Sequence, residues 1–201
     1  MPDRAQVEAA VMTQLSPERA AHVGRVAAEA VALARRFGAD ADGALWAGLL
    51  HDWCKEVPAR ELVALARATG VLSPDTSDAD VLVGTLHGPV AARLLPQRWP
   101  ELRSSVLAAI DRHTTGDVDM SDLDCVLYCA DLIEPDRRFP GVDALRALAR
   151  EDLWRATLAG MDATLRDLVD RGRRIDPRAV AARNAMLVRL APGGPTAKDL
   201  R

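Results

Sequence analysis

The feature that most constrains the fold is a series of amphipathic segments at helical spacing, each bounded by proline or glycine. Ser16-Pro17 is typical of a helix start, because serine caps free N–H groups and proline suits the first helical position. The helix that follows should end at Gly38. No segment alternates in the manner of a strand flanked by hairpin turns. The sequence therefore predicts an all-α fold, with further helices within 40–53, 58–70, 87–95, 100–113, 121–134, 152–172 and 177–190.

The length of 201 residues fits one domain. We expect this domain to span residues 1–190, with an amphipathic helical extension at the N-terminus. The last segment, 191–201, reads APGGPTAKDLR and is predicted to be a disordered tail. No internal repeat divides the chain.

Composition excludes several classes of function. The formal net charge of -3 and an aromatic content of 3% argue against a nucleic-acid-binding surface. No apolar run reaches membrane-spanning length, and the acidic N-terminus does not resemble a signal peptide. Three cysteines without a CxxC pair favour a reducing cytoplasm over a disulfide framework. Cys125 and Cys129 are interpreted as small buried apolar residues.

The four histidines carry most of the functional information. His22, His51, His87 and His113 each fall near a predicted helix end or within an apolar stripe. A single histidine in such a place is usually a core or capping residue. Because all four share this placement, a common role is the better interpretation.

Two acidic positions also lie beside or within apolar segments. His51-Asp52 follows the apolar run ALWAGLL, and Asp131 interrupts the apolar stretch CVLYCADLI. Asp131 could be an exposed helix position, or it could be a buried carboxylate that needs a cation. Imidazole and carboxylate ligands together suit Fe, Mn, Co or Zn. The hypothesis is that a metal compensates these buried groups.

The order His22, His51-Asp52, His87, His113 and Asp131 resembles the HD-domain metal-dependent phosphohydrolases. The strings AGLLHDWCKEVP, LHGPVAARLL, AAIDRHTTGDVDMSDLDCVLYCADLIEPDRRFPGV and RRIDPRAVAARNAML are similar to the bacterial YqeK-like branch of that family. The resemblance extends from about residue 22 to residue 187. Ala91 stands where the branch has glycine, and Cys54 where it has a small apolar residue.

The resemblance implies an HD-domain helical bundle that binds an iron-type metal. It implies metal-dependent cleavage of diadenosine tetraphosphate symmetrically into two ADP. The implied metal ligands are His22, His51, Asp52 and Asp131. His87 and His113 would hold a second ion or contact substrate phosphates, and we expect one tightly held metal.

Charge stabilisation at a polyphosphate needs cations beside the metal. Lys55 lies four residues after His51, so on a continuing helix both side chains would share a face and Lys55 would act with Asp52 in catalysis. Arg137 is the predicted phosphate-binding arginine, whereas Arg138 is interpreted as solvated. The basic loop 171–177 would either close over a nucleotide or complement a helix C-terminus. Residues 114–116 would form a wall of the site.

Three alternatives stay open at this point. The first is another HD-domain nucleotide phosphohydrolase or phosphodiesterase, which the metal motif alone does not separate. The second is a di-iron HD-type oxygenase, against which Lys55 and Arg137 argue mildly. The third is a non-catalytic nucleotide-binding module, against which the full set of ligand positions argues. The predicted partner is a small dinucleoside polyphosphate, with a homodimer left open.

Overall fold

The computed structural model describes residues 1–73, 75–76 and 79–192, and only the backbone of 79–82. Within these ranges the chain forms ten α-helices and no β-strand, which confirms the predicted all-α class. The helices are α1 Arg4–Gln14, α2 Pro17–Phe37, α3 Ala41–Leu50, α4 Ala59–Ala68, α5 Ala79–Arg98, α6 Ser104–Arg112, α7 Asp122–Ile133, α8 Val142–Glu151, α9 Leu153–Asp170 and α10 Pro177–Leu190.

Several predicted helix ends are confirmed by their capping geometry. The Ser16 side chain accepts a hydrogen bond from the Arg19 N–H at the start of α2. Gly38 ends that helix with a φ of 69°, a left-handed conformation that favours glycine. Ser121 and Asp124 form a complete capping box at the start of α7.

Three elements differ from the prediction. α8 was not assigned from the sequence, because Gly141 precedes it without a side-chain cap. α5 starts at Ala79 rather than at His87, and it continues through Pro89 and Pro96. Burial of the side chains around Pro89 outweighs the loss of one helical N–H donor. α3 ends at Leu50, and 51–56 form turns instead of continuing the helix to residue 53.

The centre of the fold is α7, which packs against α2, α3, α6, α8 and α9. All residues from Leu123 to Ala130 are buried, including Cys125 and Cys129. A helix that is buried on nearly every side belongs in a core, and the middle of α7 meets that condition. Its last turn therefore places Asp131 among the surrounding helices rather than on the open surface.

α2 and α3 lie in close backbone contact. A Cβ atom added at Gly48 would lie 2.5 Å from Ala27 Cα and 2.8 Å from Ala27 N. Only a residue without a side chain lets these two backbones approach so closely. This contact sets the spacing between His22 on α2 and His51 at the end of α3.

The remaining predictions concern the cysteines, membrane-spanning segments and the two ends of the chain. Cys125 and Cys129 are buried, as interpreted, and Cys54 is buried too; all three are free thiols. In the described ranges, every helix is too short or too polar to cross a membrane. α1 packs on α2 and α3, and 191–192 follow α10. Most of the predicted disordered tail, 193–201, lies outside the described residues.

Candidate metal centre

Five helices bring the predicted histidines and aspartates into one cluster. His22 comes from α2, His51 and Asp52 from the end of α3, and His87 from the middle of α5. His113 directly follows α6, and Asp131 lies in the last turn of α7. The side chains of the cluster meet although up to 109 positions of sequence separate its members. The four histidines and Asp52 are buried, with relative exposures between 0% and 6%. Asp131 is partly buried, so it is not simply an exposed helix position.

One side of the cluster combines two imidazoles with two carboxylates. His22 Nε2 lies 3.1 Å from Asp131 Oδ1, and His51 Nε2 lies 4.0 Å from the same oxygen. Asp52 Oδ2 lies 3.8 Å from His22 Nε2 and 3.5 Å from His51 Nε2. The donor atoms of His22, His51 and Asp131 all lie within 4.8 Å of one another, which is compatible with a single ion.

The other side of the cluster is formed by His87 and His113. Their Nε2 atoms lie 3.0 Å apart. Asp52 Oδ1 is 3.2 Å from His87 Nε2 and 3.8 Å from His113 Nε2. Asp52 therefore faces the two sides with different oxygens. His51, Asp52 and His113 also offer donor atoms within 4.8 Å of one another.

Hydrogen bonds at Nδ1 orient three of the imidazole rings. His51 Nδ1 lies 2.8 Å from the Gly48 carbonyl, and His113 Nδ1 lies 2.7 Å from the Ile110 carbonyl. A carbonyl only accepts, so Nδ1 donates in both rings and Nε2 keeps its lone pair when the ring is neutral. His22 Nδ1 is 3.3 Å from Glu134 Oε1. Such contacts fix the orientation of metal-binding histidines.

The donor set fits a divalent transition metal. His22 Nε2 and His51 Nε2 are buried and have no hydrogen-bond partner among the described residues. Leaving buried polar nitrogens unsatisfied is costly unless another group compensates them. A cation held by imidazole nitrogens and carboxylate oxygens would satisfy both atoms at once.

The surroundings keep both carboxylates ionised and the His113 ring neutral, which are the states that a metal requires. Burial alone would raise the pKa of Asp52, but the neighbouring His51 and a hydrogen bond with His87 lower it well below the ordinary range. Burial also opposes ionisation of Asp131, yet its pKa is lowered by the close contact with His22 and by the neighbouring His51 and Arg137 side chains. Burial lowers the pKa of His113 to about 3, so its ring is neutral at pH 7.

The two predicted phosphate-binding cations lie near the cluster. Lys55 is exposed and does not follow His51 by one α-helical turn, because its N–H bonds the Asp52 carbonyl three residues back. The predicted shared helix face is therefore wrong. The Lys55 charge still lowers the pKa of Asp52, although it ranks below the His51, His87 and His113 contributions. Arg137 pairs with the Asp131 carboxylate through Nη2 and with the Asp131 carbonyl through Nε at 2.7 Å.

Two residues that support the cluster were missed from the sequence. Glu134 is 2% exposed and contacts His22, while Arg25 Nε donates to its other oxygen at 2.7 Å. Arg19 Nη1 donates to Asp52 Oδ2 at 2.9 Å. The sequence did contain a signal for both residues. Glu134 is an acid at the C-terminus of α7 and Arg19 is a base in the first turn of α2, and each charge is unfavourable beside the helix dipole.

Two neighbouring clefts adjoin the cluster. The α2-side cleft, about 970 Å³, is lined by His22, several arginines and part of α9. The α5-side cleft, about 730 Å³, is lined by Gly84, Thr114, α9 and the loop after it. Thr114 Oγ1 lies 3.2 Å from His113 Nε2 and 3.4 Å from His87 Nε2, so it connects this cleft to the cluster. Thr164 and Arg171 line both clefts.

Comparison with known proteins agrees with this arrangement. The family model described as the HD domain matches residues 19–136, which include every histidine and aspartate of the cluster. A "Bis(5'-nucleosyl)-tetraphosphatase, symmetrical" from Bacillus subtilis is 34% identical over 87% of this chain and 92% of its own length. A protein of the same name from Halalkalibacterium halodurans is 33% identical over 89% of this chain and 94% of its own length.

A solved structure is also similar along nearly the whole chain. It is a predicted HD superfamily hydrolase involved in NAD metabolism from Clostridium acetobutylicum, and it is 33% identical with a TM-score of 0.88. The match covers 94% of this chain and 99% of that one. The chain therefore belongs to the HD domain family, in the group of the symmetrical bis(5'-nucleosyl)-tetraphosphatases.

Proposed function

We propose that this protein hydrolyses diadenosine tetraphosphate symmetrically to two ADP in a metal-dependent reaction. The observation that carries the proposal is the buried histidine and aspartate cluster between two clefts that carry arginines. The names of the relatives supply the substrate and the symmetry of the cleavage. A small dinucleoside polyphosphate is thus the proposed partner, and a homodimer stays a prediction.

We assign the principal metal ion to His22, His51, Asp52 and Asp131. The nitrogen and oxygen donors suit Fe, Mn, Co or Zn, and we propose iron because the family resemblance implies it. When bound, the ion supplies positive charge that lowers the pKa of a water molecule and polarises a phosphoryl oxygen. The buried free thiols are consistent with the reducing cytoplasm that we propose as the location.

The protein's own side chains orient the substrate around this ion. Glu134 holds the His22 ring, and Arg19 holds the Asp52 carboxylate, so both groups keep their positions. Lys55 and Arg137 are the proposed contacts to the bridging phosphates. Arg137 can use further guanidinium N–H groups for phosphate oxygens while it holds Asp131.

The reaction adds one water molecule across the central P–O–P link. Its oxygen bonds to one of the two central phosphorus atoms, and the bridging oxygen leaves with the other ADP. In heavy-oxygen water we expect ADP as the sole nucleotide product, with label in one of the two ADP molecules formed per turnover. Chromatography and mass spectrometry measure this directly, and ATP plus AMP would contradict the proposed cleavage.

His113→Ala should separate metal binding from turnover. If His87 and His113 face phosphate, the variant should keep most of its metal and lose roughly 100-fold in kcat. Elemental analysis and initial rates check both quantities on the same sample. Loss of all metal would contradict the one-metal assignment and indicate an obligatory two-metal centre.

Lys55→Met should lower kcat/KM without changing metal content or thermal stability. The side chain is exposed and makes no ion pair with any residue that the structure describes, so its removal breaks no salt bridge. Loss of a phosphate contact that strengthens in the transition state costs about 2–4 kcal/mol, or about 30- to 1000-fold.

If Lys55→Met changes KM but not kcat, the lysine contributes to ground-state binding and not to the transition state. Arg60→Met is a matched control, since it removes an exposed cation from α4, away from both clefts. Unchanged kcat/KM in Lys55→Met would show that this lysine is not part of the site.

A further inference from the structure

The α5-side cleft carries a basic loop to which the proposed reaction gives no role. Arg171, Arg173 and Arg174 follow α9 and line this cleft together with Gly172. All three arginines are exposed. In the described part of the chain, Arg171 pairs with Asp167 at 3.1 Å, whereas Arg173 and Arg174 make no ion pair or side-chain hydrogen bond.

These arginine side chains are not needed to cap the end of α9. Backbone N–H groups of residues 171, 172 and 173 donate to the carbonyls of Asp167, Val169 and Leu168 at 3.0, 3.0 and 2.7 Å. Gly172 provides the left-handed turn, with a φ of 59°. Because the helix end is satisfied by the backbone, the Arg173 and Arg174 guanidinium groups are left for a ligand.

The loop is tied to the helix that carries His87. Asp176, which is 6% exposed, accepts a hydrogen bond from Thr85 Oγ1 at 2.9 Å. Arg178 also pairs with Asp176, through Nη2 at 2.8 Å. Thr85 lies two residues before His87 on α5, so these contacts hold the loop beside the metal cluster.

The lining of this cleft matches the chemistry of a nucleotide. Met161, Leu165 and Leu168 of α9 provide an apolar wall that suits a base. Thr85 and Thr114 add hydroxyl groups on the side nearer the cluster. The two unpaired guanidinium groups suit phosphate oxygens, which they can bind in a bidentate manner.

The α2-side cleft differs in how its arginines are used. Arg19 pairs with Asp52, Arg25 with Glu134, and Arg137 with Asp131. Arg166 pairs with Asp162, and Arg138 donates to backbone carbonyls. Among the arginines that line the two clefts in the described part of the chain, Arg173 and Arg174 are thus the ones whose guanidinium groups make neither an ion pair nor a hydrogen bond.

We infer that the α5-side cleft binds one nucleoside diphosphate half of the substrate, with Arg173 and Arg174 holding its phosphates. The inference rests on the proposed function, because symmetrical cleavage requires equal halves on the two sides of the central P–O bond that is cleaved. The cluster reaches the α2-side cleft through His22 and the α5-side cleft through Thr114. The other half of the substrate then lies in the α2-side cleft.

A charge-removal variant gives the first test. Arg173→Gln combined with Arg174→Gln should raise KM for diadenosine tetraphosphate roughly 10- to 100-fold, because two charged phosphate contacts are lost. Metal content should equal that of the wild type. Arg60→Gln, a remote exposed arginine on α4, should leave KM unchanged. A double variant with wild-type KM would overturn the inference.

A cleft-filling variant tests the same site without removing charge. Gly84 lines the cleft, and no described atom lies within 4 Å of a Cβ added there. Gly84→Leu should therefore fold, block the cleft and raise KM by a similar factor. Gly24→Leu on α2 is the matched control, since a Cβ there also meets no described atom within 4 Å and Gly24 lines neither cleft. Equal KM values for Gly84→Leu and Gly24→Leu would overturn the assignment.

Binding of the product separates this inference from the proposed function. Equilibrium dialysis with labelled ADP should find two ADP molecules per metal-loaded wild-type chain and one per Arg173→Gln/Arg174→Gln chain. One ADP per wild-type chain, or the same number in both proteins, would overturn the inference even if hydrolysis is symmetrical. Failure to form ADP from diadenosine tetraphosphate would instead contradict the proposed function, and the ADP count would still decide whether this cleft binds a nucleotide.

Discussion

Asp52→Ala is expected to abolish bound metal and to lower kcat/KM by roughly 10³-fold or more, because several kcal/mol of charge stabilisation is lost with the ion. The reason lies in the position of this carboxylate. Asp52 Oδ2 faces His22 and His51, and Asp52 Oδ1 faces His87 and His113. Elemental analysis of the purified variant, together with the rate of ADP formation, measures both effects.

The same variant should also separate metal binding from folding. A ligand that binds only the native state stabilises it by about 3–4 kcal/mol at 100 to 1,000 times its Kd. A chelator should therefore lower the Tm of the wild type but leave the Tm of Asp52→Ala unchanged. Asp143→Ala is the control, since its side chain is 92% exposed and pairs with Arg146 rather than with a residue of the cluster. Full metal occupancy in Asp52→Ala would overturn the ligand assignment.

The sequence predicted the histidines of the cluster, but it did not predict the residues that hold the cluster in place. His22, His51, His87 and His113 stood out because imidazoles recurred at apolar positions, and all four meet in the structure. The contacts of Glu134 and Arg19 were missed. Each joins residues far apart in the chain, by 112 positions for Glu134 and His22 and by 33 for Arg19 and Asp52. Local periodicity carries no information about such pairs.

In the fold too, features set by neighbouring residues were predicted, whereas features that depend on distant contacts were not. Capping chemistry is local, and the predicted ends of α2 and α7 were correct. α5 is helical through Pro89 because neighbouring residues such as Leu86 and Val90 are buried against other helices, which a local rule for proline does not register. The two clefts likewise depend on how α9 and its following loop pack beside α5 and α7.

Gly48→Ala should cause a large loss of stability. The added methyl group would lie 2.5 Å from Ala27 Cα and 2.8 Å from Ala27 N, and these backbone atoms cannot rotate away as a side chain could. α2 and α3 must therefore move apart. Overpacking of this kind costs about 1–3 kcal/mol, and more where backbone is involved. In a domain of this size that corresponds to a Tm lower by about 2–4 °C for each kcal/mol.

The same displacement should weaken metal binding, because His22 lies on α2 and His51 ends α3. The Gly48 carbonyl also accepts the hydrogen bond from His51 Nδ1, so movement of α3 turns this ring directly. Gly24→Ala on the exposed face of α2 is the control, and it should be neutral or stabilising by about 0.5–1 kcal/mol, since alanine favours a helix more than glycine does. Thermal unfolding with and without chelator measures both effects. If Gly48→Ala matched Gly24→Ala in Tm and in metal content, the close approach of α2 and α3 would not be what holds His22 and His51 together.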